Sequence, residues 1–209
     1  MIEYQTNLMF PTQTFTFVAP EKLVDFTTEV CKTMEFRSYN GEAGVGTTSE
    51  IQKDARFALT HKWMQSCVDQ LHRDRGWACE RLLINKTWIN RSDANTGHHH
   101  EKHRHPMSFL SGILYLQGFS ESPTIFYDPV DKRRFNQFYL DGDDHDKTIT
   151  FPNKEASKGT LIIFPSWLVH GSAPNHSPQN RFSIAFNTFP TGNINLGGWE
   201  ESMAQIKVI

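Results

Sequence analysis

With 209 residues, 38% of them hydrophobic and 12% aromatic, the chain can bury a core of its own and is too rich in large apolar side chains to stay disordered. A net charge of −2 offers no basic footprint for nucleic acid, and the triplet Lys132-Arg133-Arg134 is too short to create one. The three cysteines, Cys31, Cys67 and Cys79, lack metal-type spacing and leave no complete disulfide framework, so a reducing cytoplasm is the expected location. The opening MIEYQTNLMFPTQTF shows no basic region followed by an apolar run, and no window reaches the roughly 18 apolar residues of a membrane span, so neither a signal peptide nor a membrane partner is expected.

Helical signals occupy the first third. After Pro20, Leu23, Phe26, Val30 and Met34 recur at steps of three or four and predict an amphipathic helix. A second helix is predicted over 54–75, with Leu59, Trp63, Cys67, Val68 and Leu71 on one face and Gly76 at its end. Between them, residues 38–50 (SYNGEAGVGTTSE) read as a loop. Beyond Gly76 the helical period gives way to eight short β-runs: 81–89, a segment through the histidines ending near His105, 108–116, 124–127, 135–140, 148–151, 160–164 and 181–189. Turn-rich stretches separate them. The acidic one, DGDDHDK at 141–147, lacks the closing glutamate of a calcium loop and reads as a solvated hairpin tip. The expected fold is mainly β, a jelly-roll or cupin-like double sheet with two N-terminal helices packed outside it. No linker divides the chain, so a single domain is expected: a helical layer over 1–79, a β core over 80–190 and an extension over 191–209.

The segment GHHHEKHRHP, Gly97 to Pro106, holds five of the ten histidines. Lying between two strand signals, it is no tag. If it is extended, Glu101, His103 and His105 face one way, while His98, His100 and Lys102 face the other as bystanders. Histidines two apart on one strand can chelate a single ion but need a third ligand. His170, at the end of LIIFPSWLVH, is the candidate, because a double-stranded roll sets its second and seventh strands side by side. The last strand, RFSIAFNTF, alternates Phe182, Ile184 and Phe186 with Arg181, Ser183, Ala185 and Asn187. Its polar face presents a cation, a hydroxyl and an amide that could hold a carboxylate, and the guanidinium fork of Arg181 matches one in bidentate fashion. Arg181 lies eleven residues beyond His170, next to the proposed metal.

These residues carry a family resemblance: H-x-H-P followed by LSGILYL, then FYDP, then G-x-L-I-x-F-P-S-W-x-x-H, then R-x-S-x-x-x-N. The chain resembles the 2-oxoglutarate/Fe(II)-dependent oxygenases, in particular a prolyl-hydroxylase-like subfamily of bacteria and phages, and the likeness extends to Phe10–Thr12 and the two helices. The resemblance implies a double-stranded β-helix holding Fe(II), with 2-oxoglutarate as co-substrate and O2 as oxidant. It implies His103 and His170 as ligands, Arg181 and Ser183 on the far carboxylate of 2-oxoglutarate, and a hydroxyl from Tyr115.

In one place the chain departs from the superfamily, which pairs its two histidines with a carboxylate where this chain has His105. His105 ligates, or the register shifts to His99 and Glu101, or Asp128 of the FYDP turn supplies the carboxylate. The first is preferred. The implied activity is that of a dioxygenase: hydroxylation of a small molecule or protein side chain, coupled to decarboxylation of 2-oxoglutarate to succinate. Trp88 and Trp167 could line the substrate cleft, although core positions are the plainer expectation. Two rival readings are a cupin-type metal hydrolase or isomerase, which has no need of an Arg181 clamp, and a non-catalytic jelly-roll module. Substrate identity and oligomeric state are not written in the sequence.

Overall fold

The computed structural model describes residues 11–39, 42–97, 99–117, 123–129, 148–151, 158–195 and 206–208. Two helices, α1 (Glu21–Lys32) and α2 (Ala58–Arg75), accompany eleven strands. The strands are β1 (Phe15–Val18), β2 (Arg37–Tyr39), β3 (Glu42–Ser49), β4 (Cys79–Ser92), β5 (Leu110–Tyr115), β6 (Thr124–Tyr127), β7 (Thr148–Phe151), β8 (Thr160–Pro165), β9 (His170–Ser172), β10 (Arg181–Ile194) and β11 (Ile206–Val208). The major sheet runs β1-β8-β5-β10-β4-β3-β2, with β11 on β10, and the minor sheet runs β7-β6-β9. Every pairing is antiparallel. The expected strands at 81–89, 108–116, 124–127, 148–151, 160–164 and 181–189 are present; 135–140 and the acidic turn 141–147 lie outside the described residues.

Side-chain alternation divides the interior in two. On β8, Leu161 and Ile163 join a cluster with Val24 and Cys31 of α1 and Met64, Val68 and Leu71 of α2. Ile162 and Phe164 join a second cluster with Tyr115, Phe126 and Leu168. The strand is therefore buried on both faces, which suits its unbroken apolar run. The helices cover one face of the major sheet, and the minor sheet packs on the other.

Both helices form where expected; the buried face of α1 is turned, while α2 buries Cys67, Val68 and Leu71 as expected and exposes only Leu59 of its expected face. On α1 the buried stripe is Val24, Thr27, Thr28 and Cys31, while Phe26 stays 49% exposed. The threonines tolerate burial because Thr27 donates to the carbonyl of Leu23 (2.6 Å) and Thr28 to that of Val24 (2.7 Å). Counting apolar residues alone therefore misplaced the face. On α2, Leu59 is exposed and Gln65 is buried. The Gln65 amide spans two β4 backbone groups, donating to the carbonyl of Leu82 (2.9 Å) and accepting from the N–H of Ile84 (2.9 Å), and this docks the helix. The helix starts at Ala58 after two short 3₁₀ turns and ends at Gly76, whose φ is +63°.

Other expectations need correction. Residues 38–50 do not form a loop: β3 pairs with β4 from Val45↔Ser92 to Ser49↔Trp88, and β2 pairs with β3. An edge strand needs backbone partners rather than an apolar face, so composition hid it. The supposed helical layer over 1–79 also gives β1, β2 and β3 to the major sheet. The histidine segment is not a regular strand; its ladder is reduced to one bridge, His103↔His170. On β5, Gly112 lies opposite Phe186, whose ring occupies the space a side chain would need. Gly112→Ala is therefore expected to cost about 1–3 kcal/mol through overpacking. Chemical denaturation midpoints check this, and Gly112→Ala with Phe186→Leu should recover part of the loss.

Candidate metal centre and its cavity

Although irregular, the histidine segment is firmly tied to β9. The N–H of His103 donates to the carbonyl of His170 (2.8 Å), and the N–H of His170 returns the bond (3.0 Å). The N–H of Ser172 donates to the carbonyl of His100, and that of His105 to the carbonyl of Ser166, each at 3.0 Å. Gly171 permits this approach, since a Cβ there would lie 2.8 Å from the His100 carbonyl oxygen.

The ring nitrogens of His103, His105 and His170 come within 4.8 Å of one another, so small ring rotations would bring all three onto one ion. The Nδ1–H of His103 donates to the carbonyl of Glu101 (2.7 Å), and that of His170 to the carbonyl of Leu168 (2.9 Å). A carbonyl only accepts, so Nδ1 carries the proton in both rings and Nε2 keeps a lone pair for a metal. Phe164 meets the His170 ring edge-on at 4.8 Å between centroids, and Trp88 lies 5.5 Å from His105. Burial pushes His105 down to about 4, helped by the charges of His103 and Lys86. It takes His170 to about 3, against the partly restoring Leu168 hydrogen bond. Both rings are thus neutral at neutral pH, as a metal requires. Three imidazoles with no carboxylate suit a divalent transition ion such as Fe(II) or Zn(II).

The triad borders a cavity of about 480 Å³ floored by the polar face of β10. Arg181 is 9% exposed, and its guanidinium donates to Ser92 Oγ at 3.3 Å. Burial lowers it to about 10, so it remains a cation at neutral pH. Ser183 lies opposite Tyr115 of β5, whose buried hydroxyl is 2.6 Å from Thr124 Oγ1. Desolvation drives the Tyr115 phenol upward, so it stays protonated.

The expected constellation Arg181, Ser183, Tyr115, His103, His105 and His170 therefore shares one cavity. Three expectations do not fit it. His99 and Glu101 pair with each other at 3.5 Å on the surface and are not in the triad cluster. Asp128, just past β6, is not in it either. Asn187 lines the cavity but sits six residues from Arg181, about 20 Å along the strand, and accepts from Ser111 Oγ at 2.8 Å. It cannot share one small carboxylate with Arg181.

Sequence reasoning missed other lining residues. His100, set aside as a bystander, faces the cavity, because strict alternation fails in an irregular segment. Its pKa is depressed to about 4, by burial first and then by the charge of Arg181, which lines the same cavity. Lys86, Trp88 and Asn90 of β4 line the wall beside β10. Their signal was the alternation K-x-W-x-N through 86–90. Neither tryptophan is a core residue: Trp88 is half-buried in the cavity wall and Trp167 is 53% exposed.

The family described as "Putative 2OG-Fe(II) oxygenase" matches residues 86–187, a stretch that contains every one of these candidate residues. The matched stretch, just under half of the chain, is similar to the 2OG-Fe(II) oxygenases. The fold of this chain is similar to that of SnoK, an alpha-ketoglutarate-dependent carbocyclase from nogalamycin biosynthesis, at 11% identity and a TM-score of 0.65 over 95% of this chain and 89% of that one. It is also similar to a Pseudomonas putida prolyl-4-hydroxylase, at 14% identity and a TM-score of 0.61 over 87% and 94%. HygX from Streptomyces hygroscopicus, crystallised with nickel, 2-oxoglutarate and hygromycin B, matches at 13% identity and a TM-score of 0.58 over 86% and 84%. At such identities the likeness is one of fold, and it bears out the jelly-roll expectation. No curated protein matches the chain. Among the described residues, no helix is long and apolar enough to cross a membrane.

The depressed imidazoles make the metal-free protein acid-sensitive. Between the ordinary histidine value of 6.5 and the folded values near 4 and 3, the unfolded chain binds more protons. Stability is therefore complete above about 6.5 and falls as pH drops toward 4. Denaturation midpoints of metal-free protein across this window check the sign. His170→Asn should flatten the slope, while carboxylate titration remains common to both proteins.

Proposed function

We propose that the protein is an Fe(II)- and 2-oxoglutarate-dependent hydroxylase acting on a small molecule or a protein side chain. The observation that carries this reading is the sharing of one cavity by two features: a triad of imidazoles, with neutral His105 and His170, and a buried, still-charged arginine. A metal hydrolase would need the first but has no use for the second. His103, His105 and His170 would hold the iron. Arg181 would pair with the far carboxylate of 2-oxoglutarate, assisted by the hydroxyls of Ser183 and Tyr115. Bound together, iron and 2-oxoglutarate supply O2-dependent oxidation of a C–H bond, releasing succinate and CO2.

The chain contributes positioning and exclusion of water. Arg181 enters the cavity desolvated, so its attraction for a carboxylate is stronger than at the surface. The backbone bonds to Nδ1 of His103 and His170 fix ring orientation before any metal arrives. Ile113, Phe164 and Trp88 form the apolar wall beside the triad. With no protein carboxylate in the triad, the co-substrate's own charge would balance the iron.

Anaerobic titration with Fe(II) and then 2-oxoglutarate is expected to give a metal-to-ligand charge-transfer band that needs both. Its absence would reject the proposal. Arg181→Ala should keep iron but lose about 2–5 kcal/mol of 2-oxoglutarate affinity. His105→Ala should lose iron, while His99→Ala and Glu101→Ala should retain it; the reverse pattern would reinstate the shifted register.

A further inference from the structure

The cavity wall carries a charge pattern that iron and 2-oxoglutarate leave unused. Among the described residues lining it there is no aspartate or glutamate, yet three are cations: Arg181, Lys86 and Arg104. Among the flanking carboxylates, Glu101 pairs with His99 and Asp93 with Arg91, while Glu50 pairs with Lys53 and feels Lys86 only as its weakest influence. Lys86 and Arg104 form no ion pair with any described residue. Once Arg181 is occupied by co-substrate, two positive charges remain at the exposed rim beside the triad.

Resting on the oxygenase reading above, we propose that the substrate is a small anion, bearing a carboxylate or phosphate that Lys86 and Arg104 select. Lys86 lies opposite Asn187 and two residues from Trp88 on the same face of β4. That spacing is about 7 Å along the strand. An anionic group at Lys86 would lay the rest of the molecule across the Trp88 ring, which itself lies 5.5 Å from the His105 ring. Arg104, between two members of the triad, borders the cavity from the histidine segment. A concave wall lined by one sign of charge also raises the local concentration of the opposite ion. The chain as a whole carries −2, so this positive field is local, and a small anion fits it better than a nucleic-acid strand.

The test uses full-length protein loaded anaerobically with Fe(II) and saturated with 2-oxoglutarate, titrated calorimetrically with benzoate, phenyl phosphate, neutral benzamide and cationic benzamidine. One of the anions is expected to bind about tenfold more tightly than benzamide, and the better one tells carboxylate from phosphate. Lys86→Ala and Arg104→Ala should each weaken that anion by about threefold to tenfold, leave benzamide unchanged and leave the charge-transfer band intact. Lys86→Glu should shift preference toward benzamidine. Absence of the band in the unaltered protein would defeat the oxygenase reading itself. An intact band with equal binding of anions and benzamide would defeat the anion assignment alone. Tighter binding of a short oligothymidylate than of phenyl phosphate would also overturn it.

Discussion

The reciprocal backbone hydrogen bonds between His103 and His170 are the constraint on which the site depends. The segment from Gly97 to Pro106 has no regular ladder of its own, and two short bonds place it against β9. β9 in turn is held by β6 through Phe126↔His170, and the minor sheet rests on the major one through Phe126, Ile162, Phe164 and Leu168. The rings of Phe126 and Phe164 both approach that of His170. The position of His170 is therefore set by the packing of two sheets rather than by the loop that carries the other two histidines of the triad. Gly171 completes the arrangement by leaving room for the incoming backbone.

Burial acts on both ends of the cavity with opposite chemical consequences. Removing water disfavours charge, so it drives the imidazoles of His105 and His170 toward neutrality and also weakens the hold of Arg181 on its proton. Arginine starts so high that it remains charged after the shift, whereas histidine starts near neutrality and loses its charge. One cavity can thus hold neutral imidazoles and a charged guanidinium together without a carboxylate partner for either among its described lining residues.

The sequence disclosed whatever depends on regular alternation. The two faces of β10 could be read from Arg181 to Asn187. The pair His103 and His105 emerged from the same parity, although their segment is not a ladder strand, because the single bridge at His103 leaves the chain locally extended. Alternation failed where the chain bends: it sent His100 to the wrong side. Reading faces from apolar residues failed on α1, where Thr27 and Thr28 conceal their hydroxyls against the helix backbone. Backbone-only pairing was invisible, so β2 and β3 were read as loop. The wall formed by Lys86, Trp88 and Asn90 was legible in principle. It required knowing that β4 lies beside β10, and one sequence does not reveal strand neighbours.

The alternation of β10 also limits how such a protein can diverge. Phe182, Ile184 and Phe186 anchor the helical side, and the residues between them form the cavity floor. Inserting or deleting one residue within the strand would exchange the two sets, turning Arg181 into the helical core and a phenylalanine into the cavity. A length change between Arg181 and Phe186 would therefore be costly unless a bulge absorbed it, as the irregularity after Asn187 does further along the strand. The strand that carries Arg181 is thus constrained in length by both of its faces, whereas the β4 wall can change by substitution.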